Sequence, residues 1–154
     1  MDALQRFTRA FRGPAALRTR RQLSLLRIRD YERRVQFQGD GTTAHPPLYD
    51  RDVLAFLPFQ VSDRRFVTPV YVMTRDVAKV YPVRGRSGSS RMDMPPEPFD
   101  LTIGGLRTCR LLISVLDPLN GARPRARIRS CRPGRLVVGV PVTDSPRLLT
   151  LEER

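Results

Sequence analysis

The chain of 154 residues is long enough for one domain with a buried core and additional extensions. Its 14 prolines favour short elements and turns, and no apolar run approaches the roughly 18 residues of a transmembrane helix, which argues against such a span. A net charge of +13 favours partners that carry many negative charges, either nucleic acid or an anionic membrane surface.

The basic charge is concentrated in two segments of the sequence. Residues 1–34 contain ten arginines and three acids, and residues 122–135 contain six arginines and no acid, so their net charges are +7 and +6. The rest of the chain is neutral overall, and Lys79 is its only lysine. Arginine can bind phosphate through two parallel hydrogen bonds, but a GC-rich genome would also replace lysine by arginine throughout. Codon usage explains the arginine content more easily than it explains this clustering.

Residues 1–34 resemble a mitochondrial presequence, which is arginine-rich, poor in acids and amphipathic. A helix over residues 4–12 would separate apolar from basic side chains, and Gly13–Pro14 would end it. The apolar side would carry Leu4, Phe7, Ala10 and Phe11, and the basic side Arg6, Arg9 and Arg12. This segment predicts a mitochondrial protein, in the matrix or on the matrix side of the inner membrane.

The same segment allows other interpretations. Arg21-Gln22-Leu23-Ser24 has the spacing of a matrix-peptidase cleavage site, with the arginine three residues before the cut. A basic amphipathic helix can also lie on an anionic membrane, and Leu4, Phe7 and Phe11 would then enter the headgroup boundary. The sequence leaves open whether the segment is cleaved.

From residue 35 onward the pattern is mainly β. Short runs of β-branched and aromatic residues lie between turn residues, which is typical of strands. The expected strands are 53–61, 66–74, 77–83, 99–103, 108–117, 125–131 and 136–142, and the expected loops are 35–52 and 84–98. The pattern of 108–117 would also fit a buried helical turn. Pro58 and Pro69 are expected to mark sheet edges or bulges.

The predicted fold is mainly β: a small antiparallel sheet, sandwich or open barrel of short strands, with an N-terminal basic amphipathic helical extension. Asn120–Gly121 and the RPGR stretch at 132–135 are turn signals, so residues 108–142 are expected to form a three-stranded meander. The predicted organisation is a basic extension at 1–34 and a single mainly-β domain at 35–154, with a basic hairpin at 122–135.

The arginine run of this hairpin is the candidate nucleic-acid interface. In a strand over 123–130, alternate arginines would share one face at a spacing of roughly 7 Å, close to the spacing of successive phosphates. Such a ladder without acids needs compensation, which an RNA backbone, an acidic protein or simple hydration at an edge strand could each provide. The candidate nucleic-acid-binding residues are Arg123, Arg125, Arg127, Arg129, Arg132 and Arg135, together with Arg18, Arg20 and Arg21.

No motif in the sequence predicts catalysis, a metal or a cofactor. His45 is the only histidine, and with Cys109 and Cys131 it forms no recognised metal-ligand spacing. The two cysteines permit one disulfide, but free thiols in a reducing compartment are the expectation. We therefore expect a protein that is not an enzyme and has no small-molecule substrate.

Together these patterns predict a non-catalytic structural subunit of a large mitochondrial assembly. A neutral body with basic arms resembles the architecture of ribosomal proteins, which favours a mitochondrial ribosomal protein whose arginines contact rRNA phosphates. The alternative is a peripheral accessory subunit of a respiratory complex or the ATP synthase. A free-standing RNA-binding factor or a virion component from a GC-rich genome is a third class.

Overall fold

Two antiparallel sheets pack face to face and form a β-sandwich, which confirms the prediction of a mainly β fold. The computed structural model describes residues 2–12, 21–29, 54–72, 96–143 and 145–154. In chain order its elements are α1 (Ala3–Ala10), β1 (Ser24–Arg29), β2 (Leu54–Phe56), β3 (Phe59–Ser62), β4 (Arg65–Val72), β5 (Glu97–Gly104), β6 (Leu111–Leu116), β7 (Arg127–Arg132), β8 (Arg135–Val142) and β9 (Arg147–Glu153).

Sheet A has the strand order β1-β5-β8-β7, so that β1 and β7 are its edges among the described strands. β5 and β8 pair along their whole length, from Glu97 opposite Val142 to Gly104 opposite Arg135. β7 and β8 form the hairpin that the RPGR stretch predicts, and Gly134 adopts a φ of 81° in its turn. That left-handed conformation favours glycine because it has no Cβ.

Sheet B has the strand order β2-β4-β9-β6, and β3 also pairs with β4. Pro58 lies in the short break between β2 and β3, whereas Pro69 lies inside β4, opposite Leu148 of β9. The expectation that Pro69 marks a sheet edge is therefore wrong. The Pro69 carbonyl accepts a hydrogen bond from the N–H of Leu57 at 3.1 Å, so its nitrogen faces the same side, where the break leaves the ladder incomplete.

The core lies between the sheets because alternate residues of each strand point inward. In sheet A, Phe99 and Leu101 of β5 face the core, and in sheet B, Phe66, Leu149 and Leu151 do so, all fully buried. Burial of one such side chain contributes about 1.5–3 kcal/mol. This alternation leaves the opposite side of sheet A available for polar residues.

Helix α1 packs on the outer side of sheet B. Asp2 caps its first turn by accepting a hydrogen bond from the backbone N–H of Gln5 at 2.7 Å. Phe7 and Phe11 pack against the cluster of Val61, Val67 and Leu148. The predicted helix and its apolar side are therefore confirmed, but two of the three side chains proposed for a membrane contact are used inside the protein.

Part of the segment predicted as an extension at 1–34 contributes a strand to sheet A. β1 pairs with β5 in sheet A, and Leu23 is buried in the core. A cut after Leu23 would remove this core residue together with α1. Residues 21–29 therefore belong to the sandwich.

The predicted meander at 108–142 is wrong in its first pairing. β7 pairs with β8 as expected, but β6 pairs with β9 in the other sheet. The Asn120–Gly121 turn does form, with the Gly121 N–H donating to the Asp117 carbonyl at 2.8 Å. The chain then crosses from sheet B to sheet A, because a turn signal fixes local geometry and does not fix the strand partner.

Several predictions fall outside the described residues. They are the Gly13–Pro14 helix end, the loop at 35–52, the strand at 77–83 and most of the loop at 84–98. Among the residues that the structure describes, no helix is long and apolar enough to cross a membrane.

Candidate nucleic-acid interface

The side of sheet A that faces away from the core, here called the basic face, carries Arg127, Arg129, Arg132 and Arg135. Arg127 is opposite Gly139 of β8, whereas the flanking Val138 and Val140 point into the core. All four arginines are exposed. Only Arg129 among them forms an ion pair with another described residue.

A bulge in β7 changes the predicted arginine ladder. The register shifts between Ile128 and Ser130, so that the extra residue Arg129 stays on the outer side. Arg123 and Arg125 are exposed but precede β7, in the segment that crosses between the sheets. The expected regular ladder of four arginines over 123–130 is therefore wrong, although the arginines of β7 and β8 do share one face.

A carboxylate on β5 neutralises the charge of one of these arginines. Arg129 Nε donates to Asp100 Oδ1 at 3.1 Å, reaching across Gly139 of β8. A Cβ atom at position 139 would lie 2.9 Å from that carboxylate oxygen and 3.4 Å from Arg129 Nε. Gly139 therefore leaves the space in which the two side chains meet.

Gly139→Ala is expected to separate this ion pair with little change in stability. The added Cβ would displace the carboxylate, while an ion pair exposed to this degree contributes only about 0–1 kcal/mol. A double-mutant cycle of Arg129→Ala and Asp100→Ala should detect coupling in the wild type and none in Gly139→Ala. Equal coupling in both backgrounds would contradict the role given to Gly139.

The register of sheet A brings the two basic segments of the sequence together. One row across the four strands consists of Arg127, Gly139, Asp100 and Arg29. In the next row, Arg27 of β1 is opposite Thr102 of β5. The N-terminal segment and the arginine run, which are far apart in the sequence, thus occupy the two edges of one sheet.

Arg21 is predicted to bind nucleic acid, but in the structure its side chain is mostly buried against other residues of the protein and does not lie on the basic face. Its guanidinium forms an ion pair with Glu153, donates to the Asp63 carbonyl at 2.9 Å and lies 4.9 Å from the ring centre of Phe66. Its side chain is only 15% exposed. Arg18 and Arg20 lie outside the described residues.

The partner of Arg21 is the buried carboxylate of Glu153, which no sequence pattern marks as a functional or structural residue. Burial of Glu153 by itself raises its pKa. The hydrogen bonds from Arg21 and from the Arg107 backbone, together with the charges of both residues, outweigh burial and lower the pKa from its usual value. Glu153 is therefore held in its charged form at neutral pH.

A second buried ion pair joins Asp117 to Arg147. Arg147 Nη2 lies 3.3 Å from Asp117 Oδ2, and Asp117 Oδ1 accepts from the Leu119 N–H at 3.0 Å. Both side chains are less than one-tenth exposed. Arg147 is thus a structural arginine, which separates it from the exposed arginines of the basic face.

Comparisons with protein-family models, with curated proteins and with solved structures find no match to this chain. Guanidinium groups stay charged at neutral pH and donate hydrogen bonds, so the basic face is suited to binding anions.

The expectation of free thiols is wrong, because Cys109 and Cys131 form a disulfide. Cys109 precedes β6 of sheet B and Cys131 lies in β7 of sheet A, and their Cα atoms are 5.7 Å apart. The residues between them run along one sheet and cross to the other, which returns the chain to the same edge of the sandwich. The disulfide thus ties the arginine-bearing strand to the opposite sheet.

Proposed function

We propose that this protein is a non-catalytic structural subunit that binds RNA phosphates through the basic face of sheet A. The observation that carries the proposal is that exposed arginines share one sheet face with a single described carboxylate, Asp100. The assembly that the sequence favours is the mitochondrial ribosome. The proposed partners are ribosomal RNA and neighbouring subunits.

Electrostatics explains why a polyanion suits this face. Neighbouring strands of a sheet lie about 4.8 Å apart, so the arginines of β7 and β8 are too close to one another to be favourable without a counter-charge. A phosphate backbone provides that charge and releases its condensed counterions on binding. The described outer-face positions carry no aromatic side chain for base stacking, which favours contacts with the backbone over contacts with the bases.

The disulfide is relevant to the cellular compartment in which the protein is proposed to act. Disulfides persist in oxidising compartments and are rare in reducing ones, so Cys109–Cys131 weighs against a reducing matrix. The presequence-like composition favours mitochondria. RNA binding and location are therefore separate parts of the proposal and need separate tests.

Replacing Arg127, Arg132 and Arg135 together with alanine is expected to weaken RNA binding by about ten-fold or more at low salt. Each lost phosphate contact reduces the slope of log affinity against log salt by about 0.7 for a single strand, so the slope should become shallower by about 2. Fluorescence anisotropy with a labelled single-stranded RNA, measured at several salt concentrations, provides both values.

The matched control replaces Arg9, Arg12 and Arg64 with alanine. Arg9 lies on α1, Arg12 follows the C-terminal end of that helix, and Arg64 lies in the β3–β4 turn, all exposed and on the sheet B side of the sandwich. Their loss changes the net charge equally. The control should keep the wild-type salt slope. Equal losses in the two variants would mean that only net charge matters, and the basic face would then not be the binding surface.

Sedimentation of the tagged protein from gently lysed mitochondria tests the assembly. Co-migration with a ribosomal subunit that is lost after ribonuclease treatment would support the proposal. Migration with a detergent-solubilised membrane complex, unaffected by ribonuclease, would favour the accessory-subunit alternative. Absence from purified mitochondria would contradict the proposed location.

A further inference from the structure

Asp100 is the one carboxylate among the described side chains of the basic face. It lies in the middle of sheet A, with Gly139 on one side and the register position of Arg29 on the other. Its side chain is 18% exposed, and Arg129 forms a hydrogen bond with its Oδ1. A ligand on the basic face would therefore meet this carboxylate as well as the arginines.

A carboxylate weakens a site that binds only phosphate, because two anions repel each other. It has two oxygens and about four positions that accept hydrogen bonds, and Arg129 Nε uses one of them. Asp100 can therefore accept a further hydrogen bond from a donor on the ligand. Position 139 has no side chain, so β8 itself does not cover the carboxylate, and the Arg129 guanidinium lies beside it over the same position. The Asp100 side chain remains 18% exposed.

The ribose 2′-hydroxyl is the nucleic-acid group that suits a carboxylate surrounded by phosphate-binding arginines. It is a hydrogen-bond donor, it occurs in every ribonucleotide beside the phosphate, and DNA does not have it. The base edges also contain donors, but the described outer-face positions have no aromatic platform to hold a base in place. Contact with the sugar is compatible with binding that does not depend on sequence.

We propose that Asp100 accepts a hydrogen bond from a ribose 2′-hydroxyl while the arginines beside it hold phosphates, so that the basic face prefers RNA to DNA. This inference rests on the proposed RNA binding and adds the sugar as the recognised group. With DNA, the carboxylate faces a sugar without a donor and remains close to phosphates, which is unfavourable.

The experiment measures binding of the purified full-length chain to three labelled 20-nucleotide probes at one salt concentration. The probes are oligouridine RNA, the matching deoxyuridine DNA and 2′-O-methyl oligouridine, which keeps the ribose oxygen but lacks its proton. The wild type is expected to bind the RNA about ten-fold more tightly than either other probe, the scale of one hydrogen bond to a charged group.

Two substitutions separate the charge of Asp100 from its role as an acceptor. Asp100→Asn removes the negative charge but keeps an amide oxygen, so all probes should bind more tightly and the preference for RNA should persist. Asp100→Ala removes the acceptor, so the preference should fall to about one. Because Arg129 is 48% exposed, losing its partner should not unfold the protein, and a thermal melt of each variant checks this.

Asp63 provides the matched control. It is an exposed aspartate in the β3–β4 turn of sheet B, away from the basic face. Asp63→Asn and Asp63→Ala change the net charge in the same way and should leave the ratio between the probes unchanged.

Equal binding of RNA and DNA by the wild type, or a preference that survives in Asp100→Ala, would overturn the inference but leave RNA binding intact. A wild-type preference that 2′-O-methyl RNA retains would also overturn it, because that probe lacks the donor. Absence of binding to every probe would instead refute the proposed function, and the inference with it.

Discussion

Replacing Arg21 with alanine is expected to lower the free energy of unfolding by about 3–5 kcal/mol, the loss typical of removing one partner from a buried ion pair. The substitution leaves the Glu153 carboxylate, which is only 5% exposed, without its main counter-charge. It also removes the contact with Phe66 and the hydrogen bond to the Asp63 carbonyl. Urea denaturation of the wild type and the variant at pH 7 measures the difference.

The stability difference between Arg21→Ala and the wild type should depend on pH, which a simple loss of packing would not produce. In the wild type the folded-state pKa of Glu153 is lowered, so its stabilising contribution is present above the unfolded pKa of about 4.3 and is lost as the pH falls through the folded value. Without Arg21, its hydrogen bond and charge no longer oppose the effect of burial, so the pKa of Glu153 should rise relative to that in the wild type. The variant should therefore regain stability relative to the wild type as the pH is lowered from 7 towards 4.

Arg64→Ala is the control for this experiment. Arg64 is an exposed arginine next to Asp63 in the β3–β4 turn, so its loss changes the net charge equally, and it should cost less than about 0.5 kcal/mol. Glu153→Gln is expected to be less destabilising than Arg21→Ala, because the glutamine oxygen can still accept from Arg21 and the guanidinium keeps its hydrogen bond to the Asp63 carbonyl. A loss in Arg21→Ala that is as small as in Arg64→Ala would show that Arg21 is not part of the fold's stability.

The parts of the fold that were predictable from the sequence are those set by local spacing. The apolar positions Phe7, Ala10 and Phe11 recur at helical intervals, and α1 contains the first two and ends with Phe11 as its C-cap. Alternation in 99–103 and the RPGR turn likewise correspond to β5 and to the β7–β8 hairpin. Local backbone preferences and one-sided burial are enough to specify such elements.

The parts that were not predictable depend on contacts between distant residues. Arg21 and Glu153 are 132 positions apart, and neither has a sequence neighbour that marks it as half of an ion pair. The sequence shows that Asp100 lies in a strand, but only the order β5-β8-β7 brings it within reach of Arg129. The charge count was therefore right about the two basic segments and could not indicate that one sheet joins them.

Loss of the Cys109–Cys131 disulfide is expected to destabilise the protein by about 3 kcal/mol and to lower its melting temperature by about 10 °C. The bond closes a loop with a sequence separation of 22. Removing a cross-link of this span gives the unfolded chain more conformational entropy, which stabilises the unfolded state by about that much free energy. Thermal melting in the presence and absence of a phosphine reductant measures the effect. The Cys109→Ser/Cys131→Ser double variant should match the reduced protein and should not respond to the reductant.

Reduction of the disulfide should lower local stability most in β7, the arginine-bearing strand. β7 is an edge strand that pairs only with β8 among the described elements, so the disulfide is its second attachment to the sandwich. Amide hydrogen exchange in β7 should accelerate after reduction more than exchange in β5, which lies between two strands. Because the same strand carries Arg127 and Arg129, reduced protein should also bind RNA more weakly if the basic face is the interface. Rapid alkylation of protein taken directly from cells then determines whether the bond exists there. Cysteines that escape alkylation indicate an intact disulfide and an oxidising compartment, whereas alkylated cysteines indicate that the protein works with the weaker, reduced form of this strand.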